Sequence, residues 1–339
     1  PNCRNFNAVI NAASRSWTME GAHLARSLLE KMESDPANGG VDIDPDRVSY
    51  TLTILACSRV RDKKLAAEMS LETLGRMERR ALEEAERRML VSSAAPPVVR
   101  LELECFNVVL TALSKTGEPD APQKIRDILC KMREYADNGN PNLRPNVRSW
   151  NTLLNALARS RKNKDAGAQA QRVLRRMLRH HRDGTANVLP NAFSFAAVLS
   201  AYQRDATESA AEAADMLVRE MEQLYECGEI KEPPDVYHYT ILAGVWAKSE
   251  QGMRGANYSV KLLSHMLERH KAGIPDVKPN VRTFNAVLDC LARADDGDRV
   301  EDLLYYMLGQ FRKGDSSARP DSFSFNCAIA AFTRSKKKG

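Results

Sequence analysis

The sequence predicts an all-α fold, an α-solenoid (superhelix) of stacked helix-turn-helix repeats. Seven times a methionine is predicted to end an amphipathic helix, at spacings of 45, 55, 45, 44, 45 and 41 residues. In six of the seven cases an Asp or Asn lies 14 residues after the methionine, and an aromatic residue four positions later opens the next apolar segment. A fixed period of this size is typical of helical repeat arrays. The recurring methionines are Met32, Met77, Met132, Met177, Met221, Met266 and Met307.

Each repeat contains two predicted helices and a closing turn. An aromatic residue and a small, mostly polar residue begin an apolar first helix, a polar turn follows, and the second helix leads to the methionine. The unit closes on Pro followed by Asp or Asn, where the chain must turn because Pro cannot continue a helix. One array over residues 1–339 is predicted, with units at 3–46, 47–102, 103–146, 147–191, 192–235, 236–280 and 281–321 and a partial unit at 322–339. The second unit differs, with a charged helical extension over residues 76–90 and a closing Glu102.

Composition and motifs favour a binding protein over an enzyme. Hydrophobic residues make up 43% of the chain and charged residues 28%, and no apolar run is long enough to span a membrane. His180 and His181 lack ligand-spaced partners, and the acidic turn at 295–298 lacks the rest of a calcium loop. No catalytic constellation, metal site or cofactor is therefore expected. The first residue, Pro1, and the incomplete eighth unit suggest a segment of a longer protein.

Two stretches carry a family resemblance. Residues 147–154 (VRSWNTLL) and 281–288 (VRTFNAVL) resemble the opening of a pentatricopeptide repeat, as do the recurring methionine and the closing Pro-Asp or Pro-Asn. The resemblance covers essentially the whole chain, although most units are longer than is usual for the family. It implies binding of single-stranded RNA, one base per repeat, through the residue after the aromatic and the closing residue.

The resemblance also implies which bases the residue pairs recognise. Asn7 with Asp46 and Asn285 with Asp321 resemble uracil pairs, Asn107 with Asn146 and Asn151 with Asn191 pyrimidine pairs, and Thr240 with Asn280 an adenine pair. Thr51 with Glu102 and Ala196 with Asp235 match no common pair, and Asn326 opens the partial unit. The alternative for the polar residue after the aromatic is a helix cap. Base-stacking positions are implied at Arg4, Val48, Arg148, Phe193, Tyr237, Arg282 and Phe323, with Glu104 a poor candidate.

A cation lies eight residues beyond the small polar position in every unit. Eight residues of helix rise about 12 Å, so the cations are expected near the far ends of the first helices. A row of such cations suits RNA phosphates, and the alternative is that they cap helix carboxyl ends. The predicted phosphate-binding residues are Arg15, Arg59, Lys115, Arg159, Arg204, Lys248, Arg293 and Arg334.

Charge is distributed unevenly between neighbouring units. Residues 147–191 contain ten Lys or Arg and two acids, whereas residues 192–235 contain three Lys or Arg and ten acids. The first segment is expected to bind phosphates most strongly, although residues 172–182 are interpreted mainly as a solvated face. The acidic segment is a possible site for a protein partner.

The sequence-level hypothesis is a sequence-selective binder of single-stranded RNA that affects the stability, processing or translation of organellar transcripts. The mitochondrion or plastid is implied by the family alone. Two alternatives stay open. One is a protein-binding helical-repeat scaffold or ribonucleoprotein subunit. The other is the RNA-targeting array of an enzyme whose catalytic domain lies outside this chain.

Overall fold

The computed structural model describes residues 2–34, 44–91, 99–160, 163, 165–185, 188–249 and 252–335, and within these ranges it contains fifteen α-helices and no strand. The predicted all-α fold is confirmed. The first helices of the repeats are α1 (Cys3–Ser14), α3 (Arg47–Ser58), α5 (Leu103–Ser114), α7 (Val147–Arg159), α9 (Ala192–Asp205), α11 (Val236–Lys248), α13 (Val281–Arg293) and α15 (Ser322–Ser335). The second helices are α2 (Met19–Ser34), α4 (Lys63–Val91), α6 (Ala121–Asp137), α8 (Ala166–Arg182), α10 (Glu208–Glu226), α12 (Met253–Lys271) and α14 (Gly297–Arg312).

The helices fall into two compact units, Pro1–Lys162 and Asn163–Gly339. In the first, α1, α3, α5 and α7 pack one against the next, and α2, α4 and α6 each pack against the first helices on either side. In the second, α9, α11, α13 and α15 pack successively, with α10, α12 and α14 between them and α8 against α9. Each unit therefore has a layer of first helices and a layer of second helices. A single array over residues 1–339 stays a prediction.

The opening aromatic residues of the repeats form the core of the first-helix layer. Six of them are between 0 and 7% exposed, namely Tyr50, Phe106, Trp150, Phe195, Tyr239 and Phe284. Burying a side chain of this kind contributes about 1.5–3 kcal/mol. The Tyr50 hydroxyl donates to Glu33 at 2.8 Å, and burial followed by that carboxylate raises the tyrosine pKa. In the last unit Phe325 is 45% exposed.

The prediction that the recurring methionines end their helices is wrong. All seven are no more than 1% exposed. The helix nevertheless continues to Asp137, Arg182, Glu226, Lys271 and Arg312 in α6, α8, α10, α12 and α14, five residues past the methionine in each case. The methionine marks the last turn that faces the core, and polar residues extend the helix beyond it. The charged extension predicted after Met77 is confirmed, because α4 runs unbroken to Val91.

None of these helices is long and apolar enough to cross a membrane, as far as the described ranges extend. The cysteines are free, and Cys57, Cys105, Cys290 and Cys327 are buried. Cys130 and Cys227 are exposed.

Candidate nucleic-acid interface

The closing residue of each repeat is the N-cap of the next first helix. Asn146 Oδ1 accepts from the Ser149 backbone N–H at 3.0 Å, and the Ser149 hydroxyl accepts from the Asn146 N–H in return. The same reciprocal capping box occurs at Asp46, Asn191, Asp235 and Asn280. The polar residue after the aromatic is the fifth residue of its helix and is not the cap. The alternative considered for that position is therefore wrong, because the capping role belongs to the closing residue.

At two junctions the structure brings the predicted recognition pair into direct contact. Asn7 Nδ2 donates to Asp46 Oδ1 at 3.1 Å, and Asn285 Nδ2 donates to both Asp321 oxygens at 3.0 and 3.1 Å. Burial opposes ionisation of Asp46, but hydrogen bonds from Ser49 and Asn7 outweigh it and lower the pKa of this carboxyl group. Asp321 also has a lowered pKa, from the same balance of burial against hydrogen bonds. Both aspartates are thus held as acceptors.

A hydroxyl at the third helix position links the two members of the pair. The Ser324 hydroxyl lies 2.6 Å from Asn285 Oδ1 and 3.1 Å from Asp321 Oδ1. The Ser149 hydroxyl lies 2.7 Å from Asn107 Oδ1 and 3.1 Å from the Oδ1 atom of its own cap. Sequence reasoning missed these residues. The available signal was a hydroxyl three residues after the closing position, which recurs at Ser49, Ser149, Ser194, Thr283 and Ser324.

The predicted base-recognising positions differ in how much of the side chain reaches the surface. Asn107 is 1% exposed, whereas Asn151 and Asn285 are 7 and 9% exposed. Asn7, Thr51 and Thr240 are half-buried, Ala196 is buried and Asn326 is exposed. The closing residues Asp46, Asn146, Asp235 and Asn280 are half-buried, and Asn191 and Asp321 are exposed. The pairs of Asn107, Asn151 and Asn285 therefore combine a buried amide with a more accessible cap.

The two unmatched pairs also differ structurally from the others. Glu102 makes no side-chain cap and instead forms an ion pair with Arg47. Its predicted partner Thr51 donates to the Arg47 carbonyl at 2.8 Å. At the other junction, Asp235 Oδ1 lies 2.6 Å from Nδ1 of the buried His238. Ala196 offers no polar group to Asp235.

The predicted stacking positions are all exposed. Each is the second residue of its first helix. In the unit Asn163–Gly339, Phe193, Tyr237 and Phe323 are 53, 54 and 50% exposed, and the exposed Arg282 holds the same position in α13. In the other unit Arg4, Val48 and Arg148 are exposed. Apolar rings at one repeated surface position are typical of a binding surface.

Glu104 compromises one stacking position. Its carboxylate pairs with Arg148 Nη1 at 3.2 Å, and both side chains are more than half exposed. The two residues hold the second positions of the adjacent helices α5 and α7. The guanidinium of Arg148 is therefore held by an acid that would also repel phosphates.

The cations lie at the C-cap or in the last turn of the first helices. Arg15, Lys115, Arg159, Arg204, Lys248 and Arg293 are exposed. Arg59 instead donates to the Ser14 carbonyl at the end of α1, at 2.8 Å, and its guanidinium lies 5.3 Å from the Trp17 ring centroid. Arg59 thus takes the capping role, and Arg293 pairs with Asp289 at 3.0 Å. The side chain of Arg334 lies outside the described part of the chain.

In the segment 192–235, most of the acidic side chains that have a partner in the structure bind residues of neighbouring helices in the same unit. Glu222 accepts from Arg269 at 3.0 Å and from the Tyr239 hydroxyl at 2.5 Å. Glu212 accepts from Arg254 at 2.8 Å, and the Asp215 carboxylate binds Tyr258 and Arg219. These contacts join α10 to α11 and α12, so part of the acidic charge stabilises the repeat stack.

The histidine pair at 180–181 and the acidic turn at 295–298 each make contacts within the fold. His180 Nδ1 lies 3.0 Å from the Thr185 hydroxyl at the end of α8. Asp296 caps α14 and binds Arg299 Nε at 2.5 Å. No group of three potential metal ligands occurs within the residues that the structure places.

Comparisons with known proteins agree with this repeat geometry. The family model of the PPR repeat matches residues 282–310, which begin in α13 and end in α14. The crystal structure of the pentatricopeptide repeat protein PPR10 from maize superposes with a TM-score of 0.56 at 19% identity, over 98% of this chain. The family model thus identifies one PPR repeat in this chain, and the structural match shows the same helical-repeat fold. The solenoid fold predicted from the period is confirmed, and this chain spans 39% of the length of the maize structure.

Two further structures of the pentatricopeptide repeat protein PPR10 contain an 18-nt psaJ RNA element, one of them with three cysteines replaced by serine. Each has a TM-score of 0.34 and 18% identity over 97% of this chain and 47% of its own. A search of curated proteins found no match.

Proposed function

We propose that this chain is a pentatricopeptide repeat (PPR) protein that binds single-stranded RNA selectively by sequence, with one base per repeat. The observation that carries the proposal is the direct bond between Asn285 and Asp321 beside exposed stacking positions at Arg282 and Phe323. Amide and carboxylate groups match base edges, and exposed rings and guanidinium planes match base faces. The Watson–Crick edge of a base is available to such groups only when the base is unpaired.

The proposed base order follows from the residue pairs and the family pattern. With the amino end of the chain at the 5′ end of the RNA, the order is U-?-Y-Y-?-A-U, where Y is a pyrimidine. The two undefined positions correspond to Glu102, which does not cap, and to Asp235, which is engaged by His238. Glu102 gives α5 no side-chain cap and Ala196 offers Asp235 no polar partner, which supports weak base preference at both positions.

We further propose that the protein acts on transcripts of the mitochondrion or plastid and affects their stability, processing or translation. This part rests on the family resemblance. An array that covers a stretch of RNA can act by occupying it, without chemistry of its own. A protein partner at residues 192–235 stays a prediction, and the internal pairing of Glu212, Asp215 and Glu222 reduces the charge available to it.

Selection of bound sequences from a random single-stranded RNA pool tests this function. We expect enrichment of a motif with uracil at its first and seventh positions, pyrimidines at the third and fourth, and adenine at the sixth. The selected RNA is then annealed to its complement and measured again. Enrichment of no motif, or equal affinity for the perfect duplex, would contradict the proposal.

A further inference from the structure

The second helix α8 carries an arginine stripe that the proposed base recognition does not use. The helix contains five arginines, no lysine and no acid, and all five arginines are exposed. They lie at intervals of three or four residues and therefore share one side of the helix over a rise of about 15 Å. The α8 arginine stripe consists of Arg172, Arg175, Arg176, Arg179 and Arg182.

Several cations on the other second helices pair with acids of neighbouring repeats. Arg76 on α4 pairs with Glu30 and Glu33, Arg254 with Glu208 and Glu212, and Arg269 with Glu222. On α8, Arg182 pairs with Glu229. Arg172, Arg175 and Arg179 take part in no ion pair among the residues that the structure describes. These three arginines therefore retain positive charge that no acidic side chain of the described residues neutralises.

The apolar side of α8 is occupied by the core. Val173, Leu174, Met177 and Leu178 are at most 8% exposed. An amphipathic helix that lies in a membrane surface needs a free apolar face, and α8 has none. The stripe can therefore engage a partner only through charge and hydrogen bonds.

The residue types favour the phosphates of a nucleic-acid duplex. Arginine presents a planar fork that binds phosphate oxygens in pairs, whereas lysine acts as a point charge. Surfaces that hold single strands typically add large aromatic rings for the unpaired bases, and α8 contains no Phe, Tyr or Trp. Double-stranded RNA is bound through its backbone and shape, which requires no stacking group.

We propose that the α8 arginine stripe is a second RNA site, which binds the phosphates of double-stranded RNA without regard to sequence. The site lies on the second-helix layer, whereas the predicted base-recognising and stacking residues all lie on first helices or their caps. The PPR protein would thereby hold an unpaired target through one layer and an RNA stem through the other.

A charge-matched pair of triple variants tests the site in the full chain. The stripe variant is Arg172→Gln, Arg175→Gln and Arg179→Gln. The control variant is Lys261→Gln, Lys271→Gln and Arg312→Gln, which removes three exposed cations from α12 and α14 of the same unit. The probes are a blunt RNA duplex without unpaired bases, the single-stranded RNA from the selection, and anionic phospholipid vesicles. Thermal melting verifies that both variants fold.

For the duplex, we expect the stripe variant to bind at least about tenfold more weakly near 0.1 M salt. The slope of log affinity against log salt should flatten by about 2 to 3, since each lost phosphate contact contributes about 0.9. The control variant should bind the duplex as the wild type does, and both variants should retain single-strand binding. If the wild-type protein binds the duplex but does not recognise the single-stranded RNA, the proposed function is refuted and this site is not.

Three results would overturn the inference. The first is an equal loss of duplex binding in the control variant, which would indicate diffuse attraction. The second is an equal loss of single-strand binding in the stripe variant, which would make α8 part of the base-recognising surface. The third is that the wild-type protein binds the vesicles more tightly than it binds the duplex, and that the stripe variant no longer binds the vesicles.

Discussion

Asn285 Nδ2 donates to both carboxylate oxygens of Asp321, at 3.0 Å to Oδ1 and 3.1 Å to Oδ2, across 36 residues of sequence. Asp321 in turn accepts from the backbone N–H groups of Phe323 and Ser324. One carboxylate thus caps α15 and orients the amide of the preceding repeat. Base recognition and helix capping are physically coupled at this junction, and a substitution must preserve the cap if it is to report on recognition.

Replacing Asp321 by Asn satisfies that condition. Asn caps a helix about as well as Asp, so melting should change little. The carboxylate can only accept hydrogen bonds, whereas the new amide can also donate, and uracil preference at the seventh base should relax toward either pyrimidine. Discrimination should fall by about 1–3 kcal/mol, the scale of a good base-edge contact in DNA. Competition binding with RNAs that differ only at this base measures it.

Asp315→Asn is the matched control for that experiment. Asp315 precedes the same helix and binds Ser317 and Lys278. The change in charge is identical, but the residue belongs to no recognition pair. A loss of uracil preference in this control, or an unchanged preference in Asp321→Asn, would contradict the assignment of Asp321.

Releasing Arg148 from Glu104 should strengthen RNA binding. Glu104→Gln removes a negative charge from the proposed binding surface and frees the guanidinium to stack on a base. An exposed ion pair contributes about 0–1 kcal/mol, so the free energy of unfolding should hardly change. We expect a severalfold gain in affinity for single-stranded RNA in a fluorescence titration. Glu83→Gln, on the exposed side of α4, should give no comparable gain, and equal gains would show that only net charge matters.

The sequence alone predicts the helices and their core well, because both depend on local periodicity. The aromatic residue of each repeat marks a buried position, as the 0% exposure of Phe106 and Phe195 shows. Contacts between residues about 40 positions apart are harder to predict. The contacts of Arg59 with the Ser14 carbonyl and of His238 Nε2 with the Ala192 carbonyl depend on how successive helices pack, and no local pattern encodes either contact.

Acid should stabilise the second unit through Asp205. Burial raises the pKa of this carboxyl group from 3.8 to about 6, against the opposing hydrogen bond from the Gly167 backbone N–H. The folded state therefore binds more protons than the unfolded state between these values. This contribution to stability is complete below about pH 3.8 and is lost as the pH rises through 6.

Asp205→Asn should remove that pH dependence. The amide oxygen can still accept from Gly167, and no charge is buried at neutral pH. Urea denaturation should show a higher free energy of unfolding than the wild type at pH 7.5, with the difference shrinking toward pH 4. Asp183→Asn removes an exposed carboxylate at the end of α8 and should leave the pH profile unchanged. A wild-type pH profile in Asp205→Asn would show that this carboxyl group is not the source.

The proposed phosphate contacts can be tested apart from base recognition. Lys115 and Lys248 are exposed at the carboxyl ends of α5 and α11, where neither fills the core. Changing both to Gln should lower the melting temperature little, because a cation at a helix end contributes about 0.3–1 kcal/mol. Affinity should fall equally for all single-stranded sequences, since phosphates carry no sequence information. Filter binding at several salt concentrations measures the effect.

The salt dependence separates a phosphate contact from a helix cap. Each phosphate neutralised on a single strand contributes about 0.7 to the slope of log affinity against log salt, so the double variant should flatten that slope by about 1.4. Lys261→Gln with Lys271→Gln removes the same charge from α12 and should leave the slope unchanged. If the Lys115 and Lys248 variant keeps the original slope, these lysines only cap the carboxyl ends of their helices and do not contact phosphates. The row of cations predicted from the sequence would then have a structural role, as Arg59 already does.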